Sequence, residues 1–282
     1  MNTDYSIRRM QPDEVQIAID WAKKEGWNPG LHDAQSFYQA DPNGFFIGEK
    51  DGKVVSVGSA IVYDDQFAFC GLYIVHPDYR SQGYGINLTR ERLRYVNQRN
   101  AGIDGVLENI AIYERIGYRL AYHNIRYQGF AAATTAINKT AIVPLSQLPF
   151  ASIETYDRQC FPASRSRFLQ AWISQPDTLA LGFVKNGVLQ GFTVRRQCIE
   201  GHKIGPLFAD NFQVAEQLFM ALQQDIIGDT IFLDITSINP AATRLVQSHQ
   251  MLEVFSTGRM YLKGQPRLAD DKIFGITTFE LG

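Results

Sequence analysis

Cysteine is scarce in this chain of 282 residues, and its three cysteines, Cys70, Cys160 and Cys198, lie far apart. An odd number of widely spaced cysteines does not make a disulfide framework, so we expect reduced thiols and a cytoplasmic protein. The five histidines are scattered, and none forms a spacing typical of metal ligands, so we expect no metal site. The first ten residues carry charge and lack an apolar core, which does not indicate a signal peptide.

Long apolar runs and a large excess of one charge are also missing. No stretch approaches the roughly 18 apolar residues that would span a bilayer, so we expect no membrane partner. The net charge is −2 at pH 7 and the pI is about 6.2. Because this balance gives no overall basic field, we expect no nucleic-acid partner. Hydrophobic residues make up 45% of the chain, which is ordinary for a globular protein.

The chain is long enough for two domains, and its halves repeat one order of predicted elements. In each half a strand and two helices precede a hairpin, turning at Asp51-Gly52 in the first half and at Asn186-Gly187 in the second. A third strand, a helix, a strand, a short helix and a final strand follow. We therefore predict an α/β (α+β) fold used twice, each unit a mixed, mostly antiparallel sheet flanked by helices, with domains of residues 1–130 and 131–282.

One turn of the first half, from Val75 to Gly85, carries the strongest chemical signal. An apolar strand runs into Arg-x-x-Gly-x-Gly, and a helix follows. Glycines let a ligand approach the backbone closely, and a helix start offers unpaired N–H groups, so the turn favours a phosphate or pyrophosphate. A dinucleotide fingerprint would need glycine where Leu88 stands, and a nucleotide-triphosphate loop would need a Gly-Lys-Ser/Thr that is missing. By itself the pattern leaves a surface turn with two incidental glycines as an equal alternative.

The wider context of this turn resembles one enzyme family. The motif is Val75-His76-Pro77-x-x-Arg80-x-x-Gly83-x-Gly85. It resembles the coenzyme A pyrophosphate loop of the GNAT family of N-acetyltransferases, and the order of elements is similar over roughly residues 6–127. In that family a Tyr commonly stands four residues before a Gly-aromatic pair, as Tyr113 stands before Gly117 and Tyr118. The paired halves are similar to a two-domain bacterial GNAT subfamily.

The resemblance implies roles for particular residues, with acetyl-CoA as the acetyl donor. Tyr113 would protonate the coenzyme A thiolate as general acid, although a buried packing aromatic is the alternative. Trp27 and Asp33 are candidates for substrate binding. The alternative for Trp27 is that it anchors its loop in the core, and the alternative for Asp33 is that it is an ordinary surface or capping acid. The implied cofactor-binding residues are Tyr73, Ile74, Val75, Arg80, Ser81, Gln82, Gly83, Tyr84 and Gly85.

Two positions depart from the family pattern. Many members carry an acid on the third strand as general base, and this chain has none there. Asp33 and Glu49 are candidate bases by position only, and a relayed water or bulk solvent is the alternative. The asparagine that many members place seven residues before the Tyr is Val106 here, with Asn109 nearby.

The second half is predicted to lack a cofactor site of its own. Its equivalent turn, predicted over residues 205–211 before a helix over 214–226, has no Arg-x-x-Gly-x-Gly, and Asp210 would repel a pyrophosphate. Val246 occupies the place of Tyr113. We expect this half to close the acceptor pocket, where Asp210, Asp234 or Glu200 could meet a cationic substrate, unless these are ordinary solvated acids.

These observations favour an N-acetyltransferase that acts directly on the amine of a small molecule, as a monomer or homodimer. The alternatives are a non-catalytic acyl-CoA sensor and an acetyltransferase for protein lysines or N-termini. Tyr113 favours the enzyme, whereas the missing strand acid favours the sensor. A covered pocket favours a compact acceptor over a protein.

Overall fold

A single sheet runs through the computed structural model, which describes residues 5–134 and 136–282. The strands of the first half are β1 (Tyr5–Arg9), β2 (Phe45–Lys50), β3 (Lys53–Val62), β4 (Phe67–Val75), β5 (Asn100–Val106) and β6 (Arg119–Phe130). Those of the second half are β7 (Ile142–Pro144), β8 (Thr178–Lys185), β9 (Val188–Gln197), β10 (His202–Ala209), β11 (Thr230–Thr236), β12 (Leu252–Tyr261) and β13 (Ile273–Gly275). The spatial order is β1-β2-β3-β4-β5-β12-β6-β11-β10-β9-β8-β7, and β13 pairs with β10.

The helices flank this sheet. They are α1 (Val15–Lys24), α2 (Asp33–Ala40), α3 (Tyr84–Val96), α4 (Ile110–Ile116), α5 (Phe150–Cys160), α6 (Ser166–Ser174), α7 (Phe212–Ala221) and α8 (Pro240–Ser248). In the part of the chain that the structure describes, no helix is long and apolar enough to cross a bilayer. The predicted α/β class, with two units of mostly antiparallel sheet flanked by helices, is confirmed.

The alternation of side chains along β2 shows how both faces of the sheet are covered. Phe45 and Ile47 are buried in the core beneath α1 and α2, whereas Phe46 between them is buried in the core beneath α3. Successive strand residues point to opposite faces, so a strand covered on both sides is apolar throughout. Phe37 of α2 also stacks on Trp172 of α6, with ring centroids 6.0 Å apart, which joins the two halves.

Both predicted hairpin turns are present. Asp51 and Gly52 have φ values of +50° and +72°, and Asn186 and Gly187 have φ values of +53° and +75°. Two consecutive residues with positive φ make the tight turn whose twist matches the flanking strands, and Asp-Gly and Asn-Gly are suited to it. The β2–β3 and β8–β9 hairpins are thus placed by local sequence.

β6 and β12, which were predicted to end the two halves, are exchanged between them. β6, from the first half, pairs with β11 along residues 124–130, whereas β12, from the second half, pairs with β5 along residues 102–106. β6 and β12 also pair with each other. Each half of the sheet is therefore completed by a strand from the other half, and the boundary predicted between residues 130 and 131 does not separate two independent sheets in space.

The turn predicted over residues 205–211 is wrong for most of its length. Gly205 to Ala209 belong to β10, and only Asp210 and Asn211 lie between this strand and α7. Pairing of β10 with β9 slips between Ile204 and Leu207, so Gly205-Pro206 marks a strand irregularity and not a turn. A Cβ on Gly205 would lie 2.5 Å from the carbonyl oxygen of Thr277, because the last segment of the chain packs directly on this glycine.

Candidate active site

A cleft opens in the sheet where β4 and β5 diverge. The two strands pair only from Phe67 to Phe69 of β4, and beyond that point they separate. The pairing of β4 with β3 also slips near Leu72, which has a φ of +47°. A non-glycine residue in this region is uncommon and often marks a functional site. The irregularity turns the second part of β4 away from β5 and leaves backbone groups of both strands facing the cleft.

The start of α3 faces one end of this cleft. Ser81 and Gly83 have φ values of +63° and +89°, and Gly83 is the residue from which the helix begins. No side chain of the described residues caps this helix, so its first N–H groups can bind a ligand anion. A Cβ on Gly85 would overlap the hydroxyl of Tyr73, so glycine there lets α3 lie close to β4.

Most of the residues predicted to bind the cofactor line one cavity of about 630 Å³ that fills the cleft. Those that line it are Tyr73, Ile74, Val75, Arg80, Ser81, Gly83 and Gly85. The side chains of Gln82 and Tyr84 do not. The Gln82 amide donates to the Asp78 carbonyl at 2.9 Å, and the Tyr84 ring packs 4.8 Å from that of Tyr5.

Arg80 stabilises the turn as well as lining the cavity. Its Nε donates to the Val75 carbonyl at 2.9 Å, and its Nη2 pairs with the carboxylate of Glu25. The side chain stays 49% exposed, so the guanidinium also has a face open to a bound anion. Arg80 thus fixes the path of the chain between β4 and α3.

Tyr113 lies on α4 and faces the cavity from the β5 side. Its ring packs on Gly105, where a Cβ would overlap the ring. Burial raises the pKa of Tyr113, an effect that the charge of Arg92 partly opposes. The phenol therefore stays protonated around neutral pH, which is the state that a general acid needs.

The far end of the cavity is formed by residues from outside the β4–α3 unit. We call this the aromatic end, and it consists of Trp27, Arg126, Phe255, Phe279 and Glu280. The Arg126 Nη1 donates to the Trp27 carbonyl at 3.0 Å, and its guanidinium lies 4.8 Å from the Phe279 ring centroid. Phe255 belongs to β12, and Phe279 and Glu280 lie in the last segment of the chain. The second half thus forms part of the cavity wall.

Buried charges support the aromatic end. Arg126 makes two hydrogen bonds of 2.7 Å to Asp234, and the Lys203 Nζ donates to the Trp27 carbonyl at 3.0 Å. Burial raises the pKa of Asp234, but the charge and hydrogen bonds of Arg126 outweigh it, and the net pKa is lowered. Burial lowers the pKa of Lys203.

Both halves of the chain match models of one family. The model described as "Acetyltransferase (GNAT) family" matches residues 13–118, and that described as "Acetyltransferase (GNAT) domain" matches residues 153–275. The chain belongs to the GNAT family. It is an acyltransferase with two tandem GNAT domains, and members of this family use acyl-CoA.

Individual relatives share the whole architecture. A holothin acyltransferase from Pseudoalteromonas sp. is 29% identical over 278 residues, covering 96% of this chain and 92% of the relative. A putative acetyltransferase from Pyrococcus horikoshii has a TM-score of 0.84 at 21% identity, covering 99% of this chain and 96% of that chain. A tandem GNAT protein from the clavulanic acid biosynthesis pathway has a TM-score of 0.63 at 12% identity, covering 91% and 97%. The two structural likenesses concern the fold alone.

The acids that the sequence suggested as bases of this GNAT protein lie outside the cavity. Asp33 is 1% exposed, pairs with Arg196 at 2.9 Å and accepts a hydrogen bond from the Gly30 N–H at 2.7 Å. Glu49 pairs with Arg8 at 2.7 Å on the surface. Asp33 is thus a structural ion-pair residue that joins the halves, whereas Trp27 does line the cavity.

The acids suggested in the second half also have other partners. Asp234 pairs with Arg126, and Asp210 accepts hydrogen bonds of 2.8 Å from Tyr156 and Lys272. Glu200 lies on the surface, where its backbone pairs with the side chain of Asn28. None of the three lines the cavity in the part of the chain that the structure describes. Within the same residues, no group of three His, Cys, Asp or Glu side chains could hold a metal ion.

Arg92 and Glu280 are among the cavity residues that sequence reasoning missed. Arg92 of α3 donates from Nε to the Ser59 carbonyl at 2.7 Å and from Nη2 to the Gly71 carbonyl at 3.3 Å, so it holds β4 at its irregularity. Its position four residues after buried Leu88 was a usable signal for an inward-facing arginine. Glu280 gave no such signal, since it reaches the cleft through a contact with residues far away in sequence.

Proposed function

We propose that this GNAT acyltransferase transfers an acetyl group from acetyl-CoA directly to the amine of a small molecule. The observation that carries the proposal is the continuity of the cavity. One cavity is lined by the N-terminal end of α3, by Tyr113 and by the aromatic end. A diphosphate, a thioester and an acceptor amine need these three environments within one cavity.

The donor end suits coenzyme A. The uncapped start of α3 would hold the pyrophosphate, with Arg80 beside it. The pantetheine arm would lie along the separated part of β4, where Tyr73, Ile74 and Val75 line the cavity. A backbone N–H of this segment would support the developing oxyanion, a contribution of about 3–4 kcal/mol in other enzymes. Tyr113 would protonate the departing thiolate.

The aromatic end would bind the acceptor, and its walls favour a compact one. Trp27, Phe255 and Phe279 give it aromatic walls, and the second half closes it. An enclosed aromatic pocket suits a small, flat amine better than a side chain of a folded protein. The similarity to a protein named for acyl transfer to holothin is a second support for a specific acceptor.

The test starts with titration calorimetry of the intact chain with acetyl-CoA, propionyl-CoA and butyryl-CoA. We expect acetyl-CoA to bind, and no binding would reject the proposal. Coenzyme A release is then followed with a panel of holothin, benzylamine, phenethylamine, tryptamine and aniline, and with a lysine peptide. Turnover of a panel amine supports the proposal. Binding without turnover would indicate a sensor, and preference for the peptide would indicate a protein acetyltransferase.

A further inference from the structure

Glu280 lies next to β4, the strand on which this chain lacks the acid that many GNAT members carry. Its backbone lies directly on Gly71 of β4, because a Cβ on that glycine would overlap the Glu280 carbonyl oxygen. Gly71 is adjacent to Leu72, where the pairing of β4 with β3 slips. Glu280 is 5% exposed and lines the cavity. An acidic residue of the last segment therefore lies next to the strand on which the thioester would rest.

The Glu280 carboxylate is only partly occupied by hydrogen bonds. Among the described residues, the donor to it is the Thr278 hydroxyl, which bonds to Oε2. The Glu280 N–H in turn donates to Thr278 Oγ1 at 2.9 Å, which holds the backbone of this turn. A carboxylate has about four acceptor sites, so this arrangement leaves capacity for a ligand.

Three cations interact with the charge of Glu280, and one of them, Lys203, makes no ion pair among the described residues. Arg126 is paired with Asp234, and Arg196 is paired with Asp33. Lys203 is buried and donates to a backbone carbonyl, and Glu280 raises its pKa against the effects of burial and Arg126. A purely structural role is therefore the alternative for Glu280, in which it only balances the charge of Lys203.

We propose that Glu280 is the acceptor-binding general base of this enzyme, and that it receives an aromatic or arylalkyl ammonium between Phe255, Phe279 and Trp27. This inference rests on the proposed function. The cavity supplies its geometry, since Glu280 and the three aromatic side chains line the same end. The carboxylate attracts the ammonium by charge, and the rings bind its apolar part and attract the cation as well.

In the reaction, Glu280 prepares the acceptor and Tyr113 protonates the leaving group. Glu280 takes one proton from the bound ammonium and passes it to solvent, which leaves a neutral amine. The nitrogen lone pair attacks the thioester carbonyl, so that a C–N bond forms and the C–S bond breaks. Tyr113 gives its proton to the thiolate, and the second proton lost by nitrogen restores the Tyr113 hydroxyl. The products are an amide, free coenzyme A and one proton.

The test compares three variants of the intact chain with the amine panel at neutral pH. Glu280→Gln should lower kcat/KM for phenethylamine at least about 100-fold, while the dissociation constant of acetyl-CoA stays within about twofold. The loss with aniline, which is already neutral at this pH, should be clearly smaller. Glu280→Asp keeps the charge beside Lys203 but withdraws the carboxylate by one methylene, and we expect at least about a tenfold loss. Glu253→Gln, an exposed acid on β12, is the matched control.

The double variant Glu280→Gln/Lys203→Met separates catalysis from charge balance. Removing both charges should restore thermal stability without restoring turnover. Recovery of turnover in the double variant, or wild-type turnover in Glu280→Gln, would overturn the role of Glu280. If the wild-type protein binds acetyl-CoA yet turns over no amine, the proposed function itself fails, and that outcome is distinct from a failure of this inference alone.

Discussion

The carbonyl oxygen of Glu280 fills the space that a side chain on Gly71 would occupy. This contact joins β4 of the first half to the last segment of the chain. It places an acid in the cleft without interrupting β4, which stays apolar along its buried face. Glycine at position 71 is thus required by a close approach of two backbones and not by a special turn.

Gly71→Ala should disturb this contact. A backbone oxygen cannot rotate away as a side-chain end can, so we expect a loss of roughly 1–3 kcal/mol in the free energy of unfolding, which is typical of overpacking. Turnover should fall as well, because Glu280 shifts. Urea unfolding and steady-state kinetics measure the two effects. Gly182→Ala is the control, since the atoms nearest to its added methyl are the terminal methyl carbons of Leu145, Leu148 and Leu189. Equal stability of the two variants would contradict the argument.

Gly83 tests the pyrophosphate site. Its φ of +89° disfavours most side chains, but open space surrounds the position of a Cβ. Asn tolerates this backbone region and has nearly the shape of Asp, so Gly83→Asn and Gly83→Asp share the steric change. We expect Asp to weaken acetyl-CoA binding at least about tenfold more than Asn, which corresponds to about 1.4 kcal/mol. Titration calorimetry of both variants measures the difference, and equal affinities would place the pyrophosphate elsewhere.

Tyr113→Phe tests the general acid. We expect thiol release in a single turnover to slow on the order of 10²-fold, with little change in acetyl-CoA affinity, since the ring still packs on Gly105. Burial raises the pKa of Tyr113 above its ordinary 10.0, so kcat should stay level through neutral pH and fall only above that value. The variant should lack this fall. Tyr127→Phe is a control outside the cavity, and an unchanged Tyr113→Phe rate would remove the residue from the mechanism.

The turn between β4 and α3 could be predicted from sequence because it is local. The strand, the glycines and the helix start stand within one run from Val75 to Gly85, and Tyr113 is fixed by its spacing to Gly117. The hairpins at Asp51 and Asn186 are local in the same way. Each of these features depends on residues that are neighbours in the chain.

The parts that escaped prediction depend on which distant segments meet. The sequence predicts β6 and β12 as the final strands of the two halves, but it does not say which half of the sheet each one joins. Glu280 gave no sign of reaching Gly71. At Gly205-Pro206, two residues typical of turns stand at a strand irregularity, and only the packing of Thr277 against them shows why.

The buried pair of Arg126 and Asp234 should stabilise the fold strongly. Both side chains are under 10% exposed. Asp234→Asn leaves Arg126 buried without a counterion, and we expect a loss of about 3–5 kcal/mol in the free energy of unfolding at neutral pH. Asp65→Asn is the control, because Asp65 is 98% exposed in its pair with Arg99, which is 22% exposed, and such surface pairs contribute at most about 1 kcal/mol. Urea unfolding at neutral pH measures both losses.

The pH dependence of this pair follows from the lowered pKa of Asp234. A carboxyl whose pKa is lower in the folded state stabilises the fold fully above its unfolded pKa, and this contribution is lost as the pH falls through the folded pKa. The difference between the wild type and Asp234→Asn should therefore be full at neutral pH and shrink below the ordinary value of 3.8. A difference that stays constant as the pH falls well below 3.8 would contradict the assigned cause.

The exchange of β6 and β12 predicts that the two halves unfold together. Residues 1–130 alone would leave β6 without either partner, and residues 131–282 alone would leave β12 beside no strand of its own half. Unpaired strand edges and exposed apolar faces favour aggregation, so we expect each fragment expressed alone to be insoluble and coexpression to recover a soluble complex. Calorimetry of the intact chain should show one transition whose calorimetric and van't Hoff enthalpies agree. A soluble, cooperatively folded fragment of residues 1–130 would show instead that the exchange is not needed for stability.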